Sequence, residues 1–563
     1  MVLCLAGSRV DAQATTEKTV EPCDGRIITR IDIRPGRPPF SGHAAKWRTV
    51  ARALGLHHST TRPRVVKAFV ALHVGDPCTE FRRAETERVL RAQPFLADAK
   101  VRVVPDTAGD LLAIVETTDE IPVLVGGRLR GIGPDALSLG NGNVAGQGLL
   151  IQAGWEAGRA YQMGFGARLT DYATFDRPYV LNVEAFRFRI GQALGAELGH
   201  PFFTDLQRIS WHAGVAGSTR FPGFARPAKD PLALEVQQRA WDLSGVVRVF
   251  GTHTIALLGG AVTGRKVDPA AVGVLVTDSG FVADTGISLR DRYRSFQITR
   301  VGPILGLRRV SYVAVSGFDA LTGSQDAPSG LSGALYVARG FGPVGRSDVF
   351  LSGATYAGYA RRTFLIANQA EVEGRRDMLG RNWNSIIGST RSALYWGQGP
   401  GTVLVLSDEY ATGVNSVLPF QLTLSDPIGG VIGYHRTGLA GARRNVVRGE
   451  LRQTKASAYR GADLGLALFG QLGTLWSGDV PYGWTGSRGS VGLSLLGAYP
   501  TKSKRVYHID LGFPLTRGGV GGGRLEIRFG SEDRTSRFWE EPADVAQART
   551  GANPATLFAW PTR

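Results

Sequence analysis

Cysteine is the residue type whose chemistry follows most directly from number and spacing in this sequence. The chain has three cysteines, Cys4, Cys23 and Cys78. In a chain exported to an oxidising compartment, Cys23 and Cys78 can form one disulfide; two unpaired buried thiols are the alternative that the sequence leaves open. Neither cysteine lies at metal-ligand spacing from a histidine, so we expect no zinc site.

Two other groups of residues could carry chemistry. His57 and His58 precede Thr60 and Thr61 with no acidic or thiol cluster nearby, which favours a surface turn over a metal ligand or a base. Asp408 and Glu409 are adjacent carboxylates, but neighbours on a strand point to opposite faces, so we interpret them as a loop or interface charge. A Gly-rich phosphate loop and a Gly-x-Ser-x-Gly turn between strand and helix are also missing. We therefore predict no enzyme and no cofactor.

The elements that position these residues follow from a repeated pattern of alternation. From Asn141 to Gly530 short, glycine-rich segments alternate apolar and polar residues, as in Gln147–Glu156 and Val506–Phe513. The longest apolar run, Ile255–Val262, is far shorter than the ~18 residues that a membrane helix needs. A chain in a bilayer must pair its backbone as a helix or a closed barrel. The pattern therefore predicts a transmembrane β-barrel or a soluble all-β protein.

Composition agrees with a barrel and disfavours two other classes. The chain has 75 glycines in 563 residues, charged residues make up 20%, and the net charge is +17. The mean hydropathy of −0.05 is too polar for a bundle of membrane helices. Most of the excess charge is scattered arginine, which argues against a nucleic-acid-binding tail. It suits a basic lumen or loops against anionic headgroups, and ordinary solubility explains it equally well.

The N-terminal part divides into a leader and a small domain. Residues 1–14 combine an apolar stretch with the small-x-small triplet Ala12–Ala14, so we interpret them as a signal-peptide remnant; a disordered N-terminus is the alternative. Residues 15–120 predict a compact α+β domain. Its predicted elements are a strand at Arg26–Ile33, helices at 43–56, 62–72 and Glu80–Gln93, and a hairpin joining Lys100–Val104 to Leu111–Glu116.

This order of elements resembles a polypeptide-transport-associated (POTRA) domain. The resemblance rests on Val74–Pro77, the following helix with its cap Thr79, Pro94–Leu96 and the paired strands. One copy is present. Cys23 lies just before the first strand and Cys78 just before the last helix, a placement compatible with a disulfide inside this domain.

The remainder resembles the barrel of the outer-membrane protein 85 superfamily, which includes bacterial surface antigens and assembly and secretion barrels. The matching strings lie at both ends of the barrel: Leu139–Gly148, Asp171–Tyr179, His200–Phe203 and His508–Leu515. The resemblance implies an antiparallel barrel over residues 121–535. Across the roughly 390 residues of the alternating region, a strand of ~10 residues with its loop gives an even number near 16 strands. Residues 536–563 extend beyond it, either into the periplasm or back into the lumen.

The superfamily carries an inward-folding loop with the motif Val-Arg-Gly-Phe/Tyr, whose arginine contacts an acidic residue on the barrel wall. Gly429–Tyr434 matches this motif at Val431, Gly433 and Tyr434, while Ile432 takes the arginine position. The partner strand matches at Phe469 and Gly473, and Gln471 takes the acidic position. Losing both charges avoids an unpaired buried charge, so the loop can still fold inward by packing. Val447–Glu450 is a competing match that fits better as the next strand.

The resemblance implies an outer-membrane protein, with its N-terminal domain in the periplasm, that helps to insert or translocate polypeptides. Its expected partners are outer-membrane lipid, unfolded or secreted polypeptide clients and periplasmic assembly proteins, and no nucleic acid. Client strands would pair with exposed sheet edges of the POTRA domain and with the seam between the first and last barrel strands. The alternative function is a surface antigen or passive pore without insertase activity.

Overall fold

A computed structural model shows a small α+β module followed by a closed barrel. It describes residues 22–36, 59–106, 109–130, 133–157, 163–224, 232–251, 254–277, 280–288, 292–342, 347–378, 382–399, 401–426, 428–435, 437–459, 461–519, 521–531 and 540–549. The predicted signal-peptide remnant at 1–14, the predicted helix at 43–56 and the pair His57-His58 lie outside these residues.

In its described residues, the module has one four-stranded sheet and two helices. Its elements are β1 Asp24–Gly36, α1 Pro63–Ala68, β2 Pro77–Thr79, α2 Glu80–Arg91, β3 Leu96–Pro105 and β4 Leu111–Asp119. The strand order is β2-β1-β4-β3, with β1 parallel to β4 and the predicted β3–β4 hairpin present. Thr79 caps α2, since its hydroxyl accepts the Arg82 N–H at 3.3 Å. The predicted helix at 62–72 is shorter because helical backbone stops at Phe69.

A disulfide joins Cys23 to Cys78 in this module, with their Cα atoms 4.9 Å apart. The module's hydrophobic core extends into the barrel, because the turn residues Ala173 and Phe203 pack in the same cluster. Arg91 of α2 also forms an ion pair at 2.9 Å with Asp326 at the barrel end. The module is therefore held against one end of the barrel.

The strands after the module span almost the whole remaining chain. In chain order they are β5 Val123–Arg130, β6 Gly133–Asn141, β7 Leu149–Glu156, β8 Gly164–Asp171, β9 Val180–Phe188, β10 Gln192–His200, β11 Ile209–Arg220, β12 Gly223–Phe224, β13 Leu232–Ala233, β14 Val236–Phe250, β15 Ile255–Pro269, β16 Val272–Thr277, β17 Gly280–Ser288, β18 Phe296–Ser316, β19 Ser324–Phe341, β20 Asp348–Arg361, β21 Phe364–Asp377, β22 Trp383–Gly399, β23 Thr402–Val414, β24 Leu422–Thr423, β25 Ala440–Gly441, β26 Arg443–Tyr459, β27 Ala462–Trp476, β28 Gly486–Ala498, β29 Tyr507–Pro514 and β30 Glu526–Gly530. A last helix, α3, spans Ala543–Ala548.

Twenty of these strands form the closed barrel, so the prediction of about 16 was too low. The barrel begins at Val123, ahead of the alternating region used for the estimate, and β5 and β6 lie largely in that added part. Several turns are also very short, as between Arg361 and Phe364. The first feature adds strands that the estimate left out, and the second leaves fewer residues in the turns.

The outer face of the barrel is apolar at alternate positions. Leu464, Leu466 and Leu468 are exposed on β27, while the intervening residues face inward. The aromatic side chains of Trp396 and Trp476 are also exposed near strand ends. An apolar band flanked by aromatic residues is the outer surface of a barrel that stands in a bilayer.

Two further sheets lie outside the barrel ladder. Strands β12, β13, β16 and β17 form a four-stranded sheet at the end opposite the module, and β24 pairs with β25. None of the helices in the described part of the chain has the length and apolarity to cross a membrane.

Candidate functional site at the barrel seam

The segment between β23 and β26 folds into the barrel lumen. Val431, Ile432 and Tyr434 are almost wholly buried there. The short β24–β25 pair closes the base of the segment, since Leu422 pairs with Gly441 and Thr423 with Ala440. We call residues 415–442 the infolded loop.

Gly433 and Tyr434 fix the tip of the infolded loop to the wall. Gly433 has a φ of +93°, which favours glycine. Its N–H donates to Glu526 Oε2 at 2.9 Å, and its carbonyl accepts the Arg524 N–H at 2.8 Å. The Tyr434 hydroxyl donates to the Gly489 carbonyl at 2.9 Å and accepts the Thr516 N–H at 3.1 Å. The tip is therefore tied to the last strands of the barrel.

Ile432 meets the wall residue Gln471, as the alignment of the motif implied. The Ile432 N–H donates to Gln471 Oε1 at 3.0 Å. The Ile432 side chain packs over Gly512, where an added Cβ would overlap with it. A main-chain hydrogen bond and apolar packing thus stand where the superfamily motif has an ion pair.

The other two predicted wall residues lie on the same inner face of β27. Gly473 leaves room for the loop, because a Cβ there would lie 2.6 Å from Val431 Cγ2. Phe469 and Gln471 line a cavity of about 60 Å³ that Ile432 also borders. The structure therefore brings all seven predicted loop and wall residues into one region of the lumen.

Arg448, the arginine of the competing match, lies on the barrel wall and contacts the infolded loop. It lies in β26, directly across from Gln471 on β27, as the assignment of this segment to a strand predicted. Its guanidinium donates to the carbonyls of Ile428 at 2.6 Å and Gly430 at 2.9 Å. The wall thus supplies an arginine that holds the infolded loop by its backbone.

A polar cluster beside the loop tip was missed by the sequence analysis. His435 Nε2 lies 3.0 Å from both Arg128 Nη2 and Asp135 Oδ2. Arg128 donates to Asp135 at 2.8 Å and to Glu156 at 2.9 Å. Arg128 belongs to β5, and Glu526, which binds Gly433, belongs to β30. The infolded loop therefore contacts both strands of the barrel's closing seam.

The C-terminal extension also enters the lumen. Arg444, fully buried on β26, donates to Asp544 at 2.5 Å and to Glu409 at 2.9 Å. Asp544 also accepts the Thr423 N–H of the infolded loop at 3.1 Å. Of the two places left open for the extension, the structure shows the lumen for residues 540–549. We call these residues the lumen segment.

The far end of the lumen segment is held by a second set of charges. Arg549 donates to Glu541 at 2.8 Å and lies 3.4 Å from Glu371 and 3.5 Å from Glu373 on the wall. Glu409 lies in strand β23 and forms an ion pair with Arg444 of β26 at 2.9 Å. The interpretation of Asp408-Glu409 as a loop or interface charge was therefore wrong for Glu409. The alternation of faces along a strand, which separates Asp408 from Glu409, explains how only one of them reaches the lumen.

Comparisons with known proteins concern the fold. No family model and no curated protein matches the chain. CdiB from Escherichia coli is similar over 90% of this chain and 76% of its own, with 11% identity and a TM-score of 0.47. BamA from Haemophilus ducreyi, lacking POTRA domains 1–3, is similar over 90% and 84%, with 10% identity and a TM-score of 0.35. The FrpB iron transporter from Neisseria meningitidis is similar over 78% and 87%, with 11% identity and a TM-score of 0.33.

These likenesses have low identity and TM-scores below 0.5. The closed barrel itself stands on the chain's own strand pairing. In the described residues, twenty strands pair in sequence around this closed barrel.

Proposed function

We propose that this chain is an outer-membrane barrel that assists the insertion or translocation of polypeptides. The observation that carries the proposal is the infolded loop at the closing seam. Strand β30 has only five residues and pairs with β5 from Glu526 to Gly530, whereas the β18–β19 ladder runs from Thr299 to Ser316. The β30–β5 ladder and the neighbouring β29–β30 ladder each pair only five residues, so strand β30 separates with the loss of few backbone hydrogen bonds. The loop bridges the seam through Gly433 and His435.

The module offers an edge at which a client strand could first pair. Within the described residues, no strand pairs with Arg30–Gly36 on the side of β1 away from β4. The opposite edge, β3, is partly occupied, because Glu87 accepts the Val101 N–H at 2.8 Å and Arg83 donates to the Val101 carbonyl at 3.0 Å. An extended client would therefore add to β1, by backbone pairing that tolerates many sequences.

Photo-crosslinking tests the proposal at both edges. A photoreactive amino acid at Asp32 in β1 and another at Ile527 in β30 should capture unfolded client chains during their export. Leu351, on the outer face inside the β19–β20 ladder, is the matched control and should capture none. Capture at Leu351 as strong as at the two edges, or no capture anywhere, would contradict the proposal.

A passive pore or surface antigen is the second candidate. It is favoured by Ile432 and Gln471, because the resemblance implies a charge pair at these positions and the chain has none. Depletion should then leave other barrels and secretion unchanged, and purified protein should fail to accelerate barrel insertion into liposomes. Under the first proposal, depletion lowers the amount of client proteins in the outer membrane.

A further inference from the structure

A groove on the outer wall of the barrel departs from the apolar surface around it. It spans β7 to β15 near the end opposite the module and has a volume of about 890 Å³. Its lining combines small residues with Arg187, Arg239 and Lys266, all exposed. Cations on the lipid-facing side of a barrel are costly unless they meet headgroups. The three cations of the groove are therefore explained only by what surrounds the barrel at their level.

The strand register arranges the outward residues of this wall in three parallel rows. From the module side outward they are Ile151-Leu169-Val183-Ala196-Val215-Trp241-Gly264, Ala153-Ala167-Ala185-Leu194-Gly217-Arg239-Lys266, and Trp155-Phe165-Arg187-Gln192-Thr219-Gln237-Asp268. The first row is apolar, the second is small with a basic end, and the third is polar with two aromatic residues at its start. The change from apolar to polar within three rows marks the level of lipid headgroups.

The small second row makes the groove. Alanine and glycine leave space where other outward rows carry large residues, as in the row Leu466-Leu495-Ile509-Phe529. Phe165 and Leu194 are 65% and 62% exposed and stand at the groove as apolar walls. A groove of this form, with an apolar floor open to the bilayer, fits acyl chains.

Of the three cations at the groove, only Lys266 forms an ion pair within the described residues. Lys266 pairs with Asp268 at 3.2 Å, and Arg187 donates to the neutral Gln192 at 3.2 Å. Arg239 has no hydrogen-bond or ion-pair partner among the described residues. Two guanidinium groups are thus available for anions, and planar guanidinium suits phosphate oxygens.

We propose that this groove binds an acylated glycolipid whose headgroup carries two phosphates, one at Arg187 and one at Arg239 and Lys266. Arg187 on β9 and Arg239 on β14 are separated by three strand spacings, about 14 Å, and by two residues along the strand, about 7 Å, so their backbones lie about 16 Å apart. One phosphate cannot reach both cations, whereas a headgroup with two separated phosphates can. The aromatic pair Trp155 and Phe165 would flank the sugar end, as aromatic residues do at a membrane interface.

Native mass spectrometry of the full chain in detergent tests the assignment. With added bisphosphorylated lipid A, the wild type should retain one lipid, and R187Q/R239Q should retain it about tenfold less, because charge-assisted hydrogen bonds are lost. A185L should also weaken retention while keeping every charge, since leucine fills the groove. R339Q is the matched control, because Arg339 is an exposed outward arginine that lies between Val301 and Val349.

Three outcomes would overturn the proposal. Retention by R187Q/R239Q equal to that of R339Q would show that the cations do not bind phosphate. Equal retention by A185L would show that the chains do not enter the groove. Equal retention of phosphatidylglycerol, which has one phosphate, would overturn the assignment to a headgroup with two.

Discussion

At the scale of single residues, Ile432 and Gln471 make a neutral contact at the two positions where the superfamily motif has a charge pair. Ile432 and Gln471 are joined by one main-chain hydrogen bond of 3.0 Å. A buried N–H without an acceptor costs about 1–3 kcal/mol. The amide of Gln471 therefore matters for its acceptor oxygen, and the isoleucine for its shape.

Replacing Gln471 by leucine should loosen the infolded loop. The variant keeps a similar volume but leaves the Ile432 N–H without its acceptor, at a cost of about 1–3 kcal/mol. Hydrogen exchange by mass spectrometry of peptides covering 428–435 should be faster than in the wild type. Q471E keeps an acceptor oxygen and is the control. Exchange in Q471L as slow as in Q471E would show that the hydrogen bond contributes nothing to docking.

Glycines on the wall give a second prediction at this scale. Gly512→Val should displace Ile432, because a Cβ at Gly512 would overlap with its Cγ2. Gly470→Val is matched to it, since no atom lies within 4 Å of a Cβ at Gly470. Overpacking of this kind typically costs about 1–3 kcal/mol. The melting temperature in detergent should fall for G512V alone; an equal fall in G470V would refute the packing argument.

At the scale of elements, the sequence predicted what local patterns encode. The Thr79 cap, the β3–β4 hairpin and the position of the loop motif all follow from residues close together in the chain. The place of the lumen segment does not, because the Arg444–Asp544 contact joins residues 100 positions apart. The number of strands failed for another reason: turns as short as Arg361–Phe364 blur where one alternating segment ends.

Removing the lumen segment should widen the path for ions through the barrel lumen. Truncation after Ser531 deletes Glu541, Asp544 and Arg549, whose contacts hold this segment across the lumen. Single-channel conductance in planar bilayers should rise relative to the full chain. Truncation after Arg549 keeps the segment and is the control, with conductance near that of the full chain. If both truncations conduct alike, the segment does not limit the pore.

Docking of the lumen segment should depend on pH through Asp544. Burial raises the pKa of Asp544 to about 7, with Asp426 and Glu409 also facing Arg444 near it. Because the docked pKa lies above that of a free carboxyl at about 4, docking takes up a proton. The contribution of Asp544 to docking should be largest below about pH 4 and be lost as the pH rises through about 7. Conductance should then be higher at pH 8 than at pH 5, and D544N should remove the difference; an unchanged difference in D544N would assign it to another group.

At the scale of the whole molecule, the seam is where fold and proposed function meet. The barrel closes through β5 and β30, the module core joins the barrel turns, and the infolded loop contacts both seam strands. A closed ladder removes every edge, so a client strand can enter only if one ladder opens. The five-residue strand β30 is the element that can release with the fewest lost hydrogen bonds.

A disulfide across the seam should therefore stop client handling. Leu129 and Ile527 are direct cross-strand partners on the outer face, so L129C/I527C can lock β5 to β30. V337C/L351C locks the β19–β20 ladder in the same way and is the control. The oxidised seam variant should lose barrel insertion in liposomes, and reduction should restore it, while the control stays active in both states. Reduction also acts on Cys23–Cys78, so the wild type is assayed with and without reductant. Full activity of the variant with the locked seam would show that clients pass without opening the seam. The proposal would then give way to a passive pore or to passage through the lumen.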